Sequence, residues 1–351
     1  MSIDKDIAII NESIIHLNPV AVILYGSYGR GEGGWYIDKT KGELLPYNDY
    51  DIMIIFKNHK EQTELDSIKK ALEKEIKIRW IDICQETIIG LKSLKNTIFN
   101  FDLKYGSKVI YGDSEILDLI PNFEAKLIPL EEGNILFQTR MWTFFGSIKK
   151  GGFNDGLEGE SSRFFRNQMA KAILAVVDVL LLLAGMYHTS YKVRLKNFKN
   201  IYNDKKELLN LAKWSLNEKL NPKDARMESN EVVLLYERVH YHFVKEMMNL
   251  VSKRYKSNID SPEKLIFFWK YHPSRLLKRL GYLIFKQNFK YELKIKIDIV
   301  QIYLLFAFNP AKIDNAYLSK ATIILKSVNK DLSENLNWHD ARRVIADMRL
   351  T

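Results

Sequence analysis

The stretch Leu24-Tyr25-Gly26-Ser27-Tyr28-Gly29-Arg30-Gly31-Glu32-Gly33, followed by Asn48-Asp49-Tyr50-Asp51-Ile52, decides how the first third of this chain is read. Val20-Ala21-Val22-Ile23-Leu24-Tyr25 is a continuous apolar run closed by glycine, the pattern of a strand buried on both faces. Gly26-Ser27 then turns the chain. A strand that ends in Gly-Ser and enters a helix directs backbone N–H groups and a hydroxyl outward, where they suit phosphate oxygens. Glycine at position 26 lets the backbone approach a phosphate chain that a side chain would obstruct.

Asp49 and Asp51 are two apart at the start of a second strand, expected over residues 51–56, so both carboxylates project from one face and suit hard cations. Asp82 lies in Arg79-Trp80-Ile81-Asp82-Ile83, an ionisable residue inside an otherwise apolar strand expected over 76–83. Burial without a partner would be costly there, and a metal ion supplies the partner. Three converging carboxylates suit two Mg²⁺ ions, with Mn²⁺ as a substitute. Such a pair stabilises the attacking and leaving oxygens of an in-line displacement at the α-phosphate of a nucleoside triphosphate. Asp82 is also the candidate to help deprotonate an acceptor hydroxyl, and the sequence does not separate that role from metal binding.

Around this stretch, a helix is expected over residues 4–17, a helix over 61–75 and a fourth strand over 103–111. From about residue 127 helical patterns take over, at 133–148, 161–186, 231–256, 262–281 and 295–308. Breaks fall at Lys150-Gly151-Gly152, Asn221-Pro222 and Asn309-Pro310. The polar, Gly-rich segment 153–162 reads either as a mobile loop near substrate or as a plain interhelix connection, with Ser161 or Ser162 capping the helix that follows. The expected fold class is α+β: a domain over 1–125 with a small mixed sheet and flanking helices, then a helical bundle over 126–351.

The 351 residues carry 53 Lys and Arg against 43 Asp and Glu, a formal charge of +10 that biases the chain toward anionic partners. The lysines are dispersed, without the concentrated basic stripe and exposed aromatics that RNA binding asks for, so RNA is not the favoured partner. Cys84 is the only cysteine, which excludes an intramolecular disulfide and a Cys-based zinc site and fits a reducing cytoplasm. The N-terminus lacks the basic and apolar regions of an export signal. The apolar run at 172–187 is too short to span a membrane and carries Asp178, so it reads as a buried bundle helix. Gly29, Gly31 and Gly33 lack the spacing of a dinucleotide loop, and no Walker loop occurs. His240 and His242 face different directions on a helix and make no metal pair.

The ordered set of apolar strand, Gly26-Ser27, Asp49-Tyr50-Asp51 and in-strand Asp82 resembles the DNA polymerase β-like nucleotidyltransferase superfamily, over roughly the first third of the chain. The resemblance implies catalytic and metal-holding roles for Asp49, Asp51 and Asp82, and nucleotide contacts at Gly26 and Ser27. Arg30 either touches phosphate or faces solvent. Lys171 resembles the helical-domain lysine that members often aim at the nucleotide phosphates, or is a solvated lysine at a helix edge. Residues 28–48 are longer than the family's usual connection and read as an inserted loop or hairpin beside the site. The implied reaction moves a nucleoside monophosphate onto a hydroxyl of a small molecule or a protein side chain. The alternatives are synthesis of RNA ends or of cyclic or oligomeric nucleotides, or a catalytically idle binding module.

Overall fold

The computed structural model describes residues 3–38, 42–78, 80–148, 153–271, 288–333 and 336–350. The expected break at 150–152 and the far part of the helix expected over 262–281 lie outside them. The molecule is α+β and 63 % helical. It divides into two compact units, Met1–Glu132 with Leu180–Lys223, and Gly133–Val179 with Asp224–Thr351. The chain first crosses between the units after Glu132, and the segment Leu180–Lys223 returns to the first unit.

The first unit is built on a four-stranded mixed sheet. Its strands are β1 (Ala21–Tyr25), β4 (Tyr50–Phe56), β5 (Ile81–Thr87) and β6 (Lys108–Gly112), in the order β5-β4-β1-β6. β1 is antiparallel to both β4 and β6, whereas β4 and β5 are parallel and joined by helix α3 (Gln62–Ile76). The strands alternate as a sheet covered on both sides must. Val22, Leu24, Ile52, Ile54 and Phe56 join Ile10 and Ile14 of α1 (Ile3–Ile14) and Leu65 and Leu72 of α3 in one core. Ala21, Ile23, Met53 and Ile55 join Leu91 of α4 (Ile88–Lys92), Leu103 of α5 (Ile98–Tyr105), Ile116 and Ile120 in the other.

Two expected strands are shorter than their apolar patterns. Lys77, at φ 59, ends α3 by returning its N–H to the Glu73 carbonyl, so Ile76 is spent in the helix and the strand starts at Ile81. Residues 103–105 are helical because the Thr97 side chain caps α5 by accepting the Asn100 N–H. Only Lys108–Gly112 remains extended. The insertion at 28–48 follows from the one-turn helix α2 (Gly26–Gly29) and forms a hairpin of β2 (Trp35–Asp38) and β3 (Glu43–Pro46). Helices α8 (Tyr191–Ile201) and α9 (Lys206–Leu220) complete this unit.

The second unit contains most of α6 (Glu131–Ser147) and α7 (Gly159–Leu183), then α10 (Ser229–Tyr255), α11 (Pro262–Ile266) with a π turn at Phe267–Tyr271, α12 (Asn288–Ala307), α13 (Asn315–Lys326) and α14 (Trp338–Leu350). Phe137 and Phe144 meet Phe243 edge-on, and the Trp338 indole donates to the Leu304 carbonyl at 2.8 Å. α7 starts at Gly159, so Ser161 and Ser162 lie within the helix instead of capping it, and the Ser162 hydroxyl donates to the Ala225 carbonyl. Among the described residues no helix is long and apolar enough to cross a membrane.

Candidate active site

Strand register brings the acidic residues together. Asp51 and Asp82 are direct partners across the parallel pair β4–β5, and Tyr25, the last residue of β1, is the partner of Asp51 on its other side. Asp51 shares its face with Met53 and Ile55, so its carboxylate continues the layer of the α4–α5 core at the strand's opening end. Asp49 stands one residue ahead of β4. One carboxylate oxygen from each of Asp49, Asp51 and Asp82 lies within 4.8 Å of the others.

Gly26 follows Tyr25 at φ +66, a left-handed conformation that suits glycine. A Cβ there would stand 1.9 Å from Oδ2 of Asp51. The glycine is therefore required by the carboxylate, a reason independent of any phosphate. Burial, then Asp49, then Asp82 push the Asp51 carboxyl up to about 7, against the smaller opposing pull of Lys219 and Arg30. A cation beside the three carboxylates would offset the repulsion that Asp49 and Asp82 exert on Asp51.

The neighbouring residues hold this corner in shape. Tyr50, between the two aspartates, points to the opposite face and donates its hydroxyl to Asp6 of α1 at 2.6 Å, with both residues buried. Asn48 accepts the Gly34 N–H at 2.8 Å, and the Tyr28 hydroxyl donates to the Gly34 carbonyl at 2.7 Å. The hairpin insertion is thereby tied to the strand that carries the aspartates.

Of the residues singled out in the sequence, Gly26, Asp49, Asp51 and Asp82 are brought together, with Ser27 buried beside Gly26. Arg30 is neither solvated nor at an open surface. Its side chain is 7 % exposed and donates to Asp102 at 3.1 Å. Asp102 also accepts from Arg194 at 3.1 Å and from the Tyr187 hydroxyl at 3.2 Å. Buried Glu32 accepts from the Ser190 hydroxyl at 2.7 Å and the Tyr191 N–H at 2.8 Å, so it secures the first turn of α8. Lys171 lies on α7 in the second unit, half-buried.

Three residues that the sequence did not single out adjoin the carboxylates. Lys219 is buried near the end of α9 and acts on Asp51 by its charge. Its helix has no capping signal and a weak stripe, so nothing in the sequence separated this lysine from the solvated ones. Trp80 donates its indole N–H to Oδ1 of Asp82 at 2.5 Å, and Lys69 of α3 places its ammonium 3.7 Å from the same oxygen. The signal for Trp80 was its spacing, two residues ahead of Asp82 and so on the same strand face. Compared with the models of known protein families and with curated proteins, the chain matches none.

Proposed function

We propose that this chain is a Mg²⁺-dependent nucleotidyltransferase of the DNA polymerase β type, which moves a nucleoside monophosphate from a nucleoside triphosphate onto a hydroxyl of a small molecule or a protein side chain. The observation that carries this reading is the pairing of Asp51 with Asp82 across parallel strands, with Asp49 within reach and Gly26 making room for Asp51. The donor set fits a divalent cation: the ligands are all hard oxygens, and a carboxyl held up to about 7 by burial and two like charges is relieved by positive charge.

When bound, a pair of Mg²⁺ ions held by Asp49, Asp51 and Asp82 supplies electrostatic stabilisation to the entering and leaving oxygens at the α-phosphate. The rest falls to the chain. The Gly26-Ser27 turn receives the phosphates, and Lys219 balances their charge on the Asp51 side. Asp82, on the edge strand and 47 % exposed in its side chain, is open to the acceptor and takes the proton of its hydroxyl.

Incubation of the purified chain with each triphosphate labelled at the α-phosphate, with Mg²⁺ and pools of metabolites, protein or RNA, tests the proposal. The expected result is pyrophosphate release with label in a small molecule or in protein, abolished in Asp51→Asn. Label in RNA or in cyclic or oligomeric nucleotide would move the acceptor to the polymerising class. Absence of transfer from any triphosphate overturns the proposal.

A further inference from the structure

Asp82 differs from the other two acidic residues in its setting. Asp51 is fixed between neighbours on both sides, whereas β5 is the edge of the sheet and, among the described residues, no further strand flanks Asp82. A carboxylate ligand on an edge, half exposed, is free to rotate about its side-chain torsions, and that freedom opposes a fixed coordination geometry. The structure supplies a specific restraint. The Trp80 indole N–H, which can only donate, reaches Oδ1 of Asp82 at 2.5 Å. Lys69 lies 3.7 Å from the centre of the Trp80 ring and 3.7 Å from the same oxygen. The ammonium thus holds the ring on its face while adding charge where the indole donates.

The helix that carries Lys69 is itself registered against β5. Leu65, Leu72 and Ile76 of α3 are buried in the core, and Glu73 accepts the Ile81 N–H at 3.1 Å. The restraint therefore runs from a packed helix through Lys69 and Trp80 to one oxygen of Asp82. Trp80 is 53 % exposed, so core burial does not account for a tryptophan at this position.

Building on the function proposed above, we infer that Trp80, held by Lys69, is a positioning residue that fixes Oδ1 of Asp82 and turns the other oxygen toward the cation shared with Asp49 and Asp51. Outer hydrogen-bond partners of metal-holding groups change metal affinity or activity by about 10- to 100-fold when removed. Trp80→Phe keeps an aromatic face for the lysine and removes the N–H together with the five-membered ring of the indole. Trp80→His restores a ring N–H.

The test measures Mn²⁺ binding to the unreacted protein by electron paramagnetic resonance, together with kcat, the KM for triphosphate and the Mg²⁺ concentration for half-maximal rate. In Trp80→Phe, Mn²⁺ affinity is expected to fall by about 10-fold and kcat to fall with it, while the KM for triphosphate stays within about twofold. Trp80→His is expected to recover part of both losses. Asp82→Asn is the control on the site itself and is expected to abolish transfer. Wild-type Mn²⁺ binding and kcat in Trp80→Phe, beside a dead Asp82→Asn, overturn the role of Trp80 and leave the site standing. A fully active Asp82→Asn removes the site and this inference together. Should Trp80→Phe lower the melting temperature markedly, Trp80→His carries the same comparison, and a histidine variant no better than phenylalanine overturns the inference.

Discussion

At the scale of the residue, Gly26 and Asp51 are a single device. The glycine takes a positive φ and leaves the space in which the Asp51 carboxylate sits, so its replacement acts on the site before it acts on the fold. Gly26→Ala is expected to lose at least about 100-fold in kcat, since misplacement of a reacting geometry by about 1 Å carries that cost. It is expected to lose about 1–3 kcal/mol of stability as well, from strain at a position closed to a side chain. Denaturant unfolding beside steady-state kinetics reads both, and an alanine variant with wild-type kcat would count against the crowding. The other residue-scale expectation concerns charge. Burial and its acidic neighbours push the Asp51 carboxyl up to about 7, so under the proposed function a Mn²⁺ ion would have to displace that proton below this pH and would meet an ionised carboxylate above it. Affinity measured by titration is expected to rise steeply between pH 6 and 7 and to level off above about 8. A flat profile across that interval would show that Asp51 ionises as an ordinary carboxylate.

At the scale of the element, the anchoring of α8 shows what a linear reading reaches and what it misses. Asp102 receives two guanidinium groups, from Arg30 and Arg194, and the Tyr187 hydroxyl, all largely out of solvent. Removing the carboxylate that Arg30 and Arg194 share weakens a largely buried cluster, in which Glu32 still lies 3.9 Å from Arg30, and costs about 3 kcal/mol at a partly exposed position. Asp102→Asn is expected to lower the unfolding free energy by that amount, and a value within error of wild type would make the cluster a surface feature. The strands β1 and β4, the Gly26-Ser27 turn and the pair Asp49 and Asp51 were legible because local pattern alone specifies them: an apolar run, a glycine, an alternation. Residues 76 and 103–105 were misread because Lys77 and Thr97 set helix limits through backbone conformation and capping that an apolar run does not announce. The contact of Arg30 with Asp102 was not legible, because the two residues are 72 apart in the chain. Lys219 stayed invisible for the same reason: what distinguishes it is proximity to Asp51, and proximity across the chain leaves no mark in composition or period.

At the scale of the whole molecule, each of the two compact units carries a titrating group, and the two shifts act on stability in opposite senses. In the first unit Asp51 has its carboxyl raised to about 7, so without a cation the folded form binds more protons than the unfolded chain between the ordinary carboxylate range and about 7. Stability from this group is full at low pH and is lost as pH rises through that interval. In the second unit His240 is half-buried, its ring nitrogen against the Leu305 carbonyl and its ring stacked on Tyr236, and desolvation lowers its affinity for a proton below the ordinary 6.5. Its folded form binds fewer protons than the unfolded chain, so stability is full above the ordinary histidine range and falls as pH drops through it. Calorimetry of the cation-free protein is therefore expected to show one transition that moves down between pH 5 and about 7.5 and another that moves up over the same range. Under the proposed function Mg²⁺ would be held where the three carboxylates meet, so at pH 7.5 it is expected to raise the first transition and leave the second unchanged, by mass action on the folded first unit. His240→Phe, which keeps a ring in place of the imidazole, is expected to flatten the pH response of the second transition alone. A Mg²⁺ response shared equally by both transitions would mean that the two units unfold as one, and no response in either would remove the cation from the first.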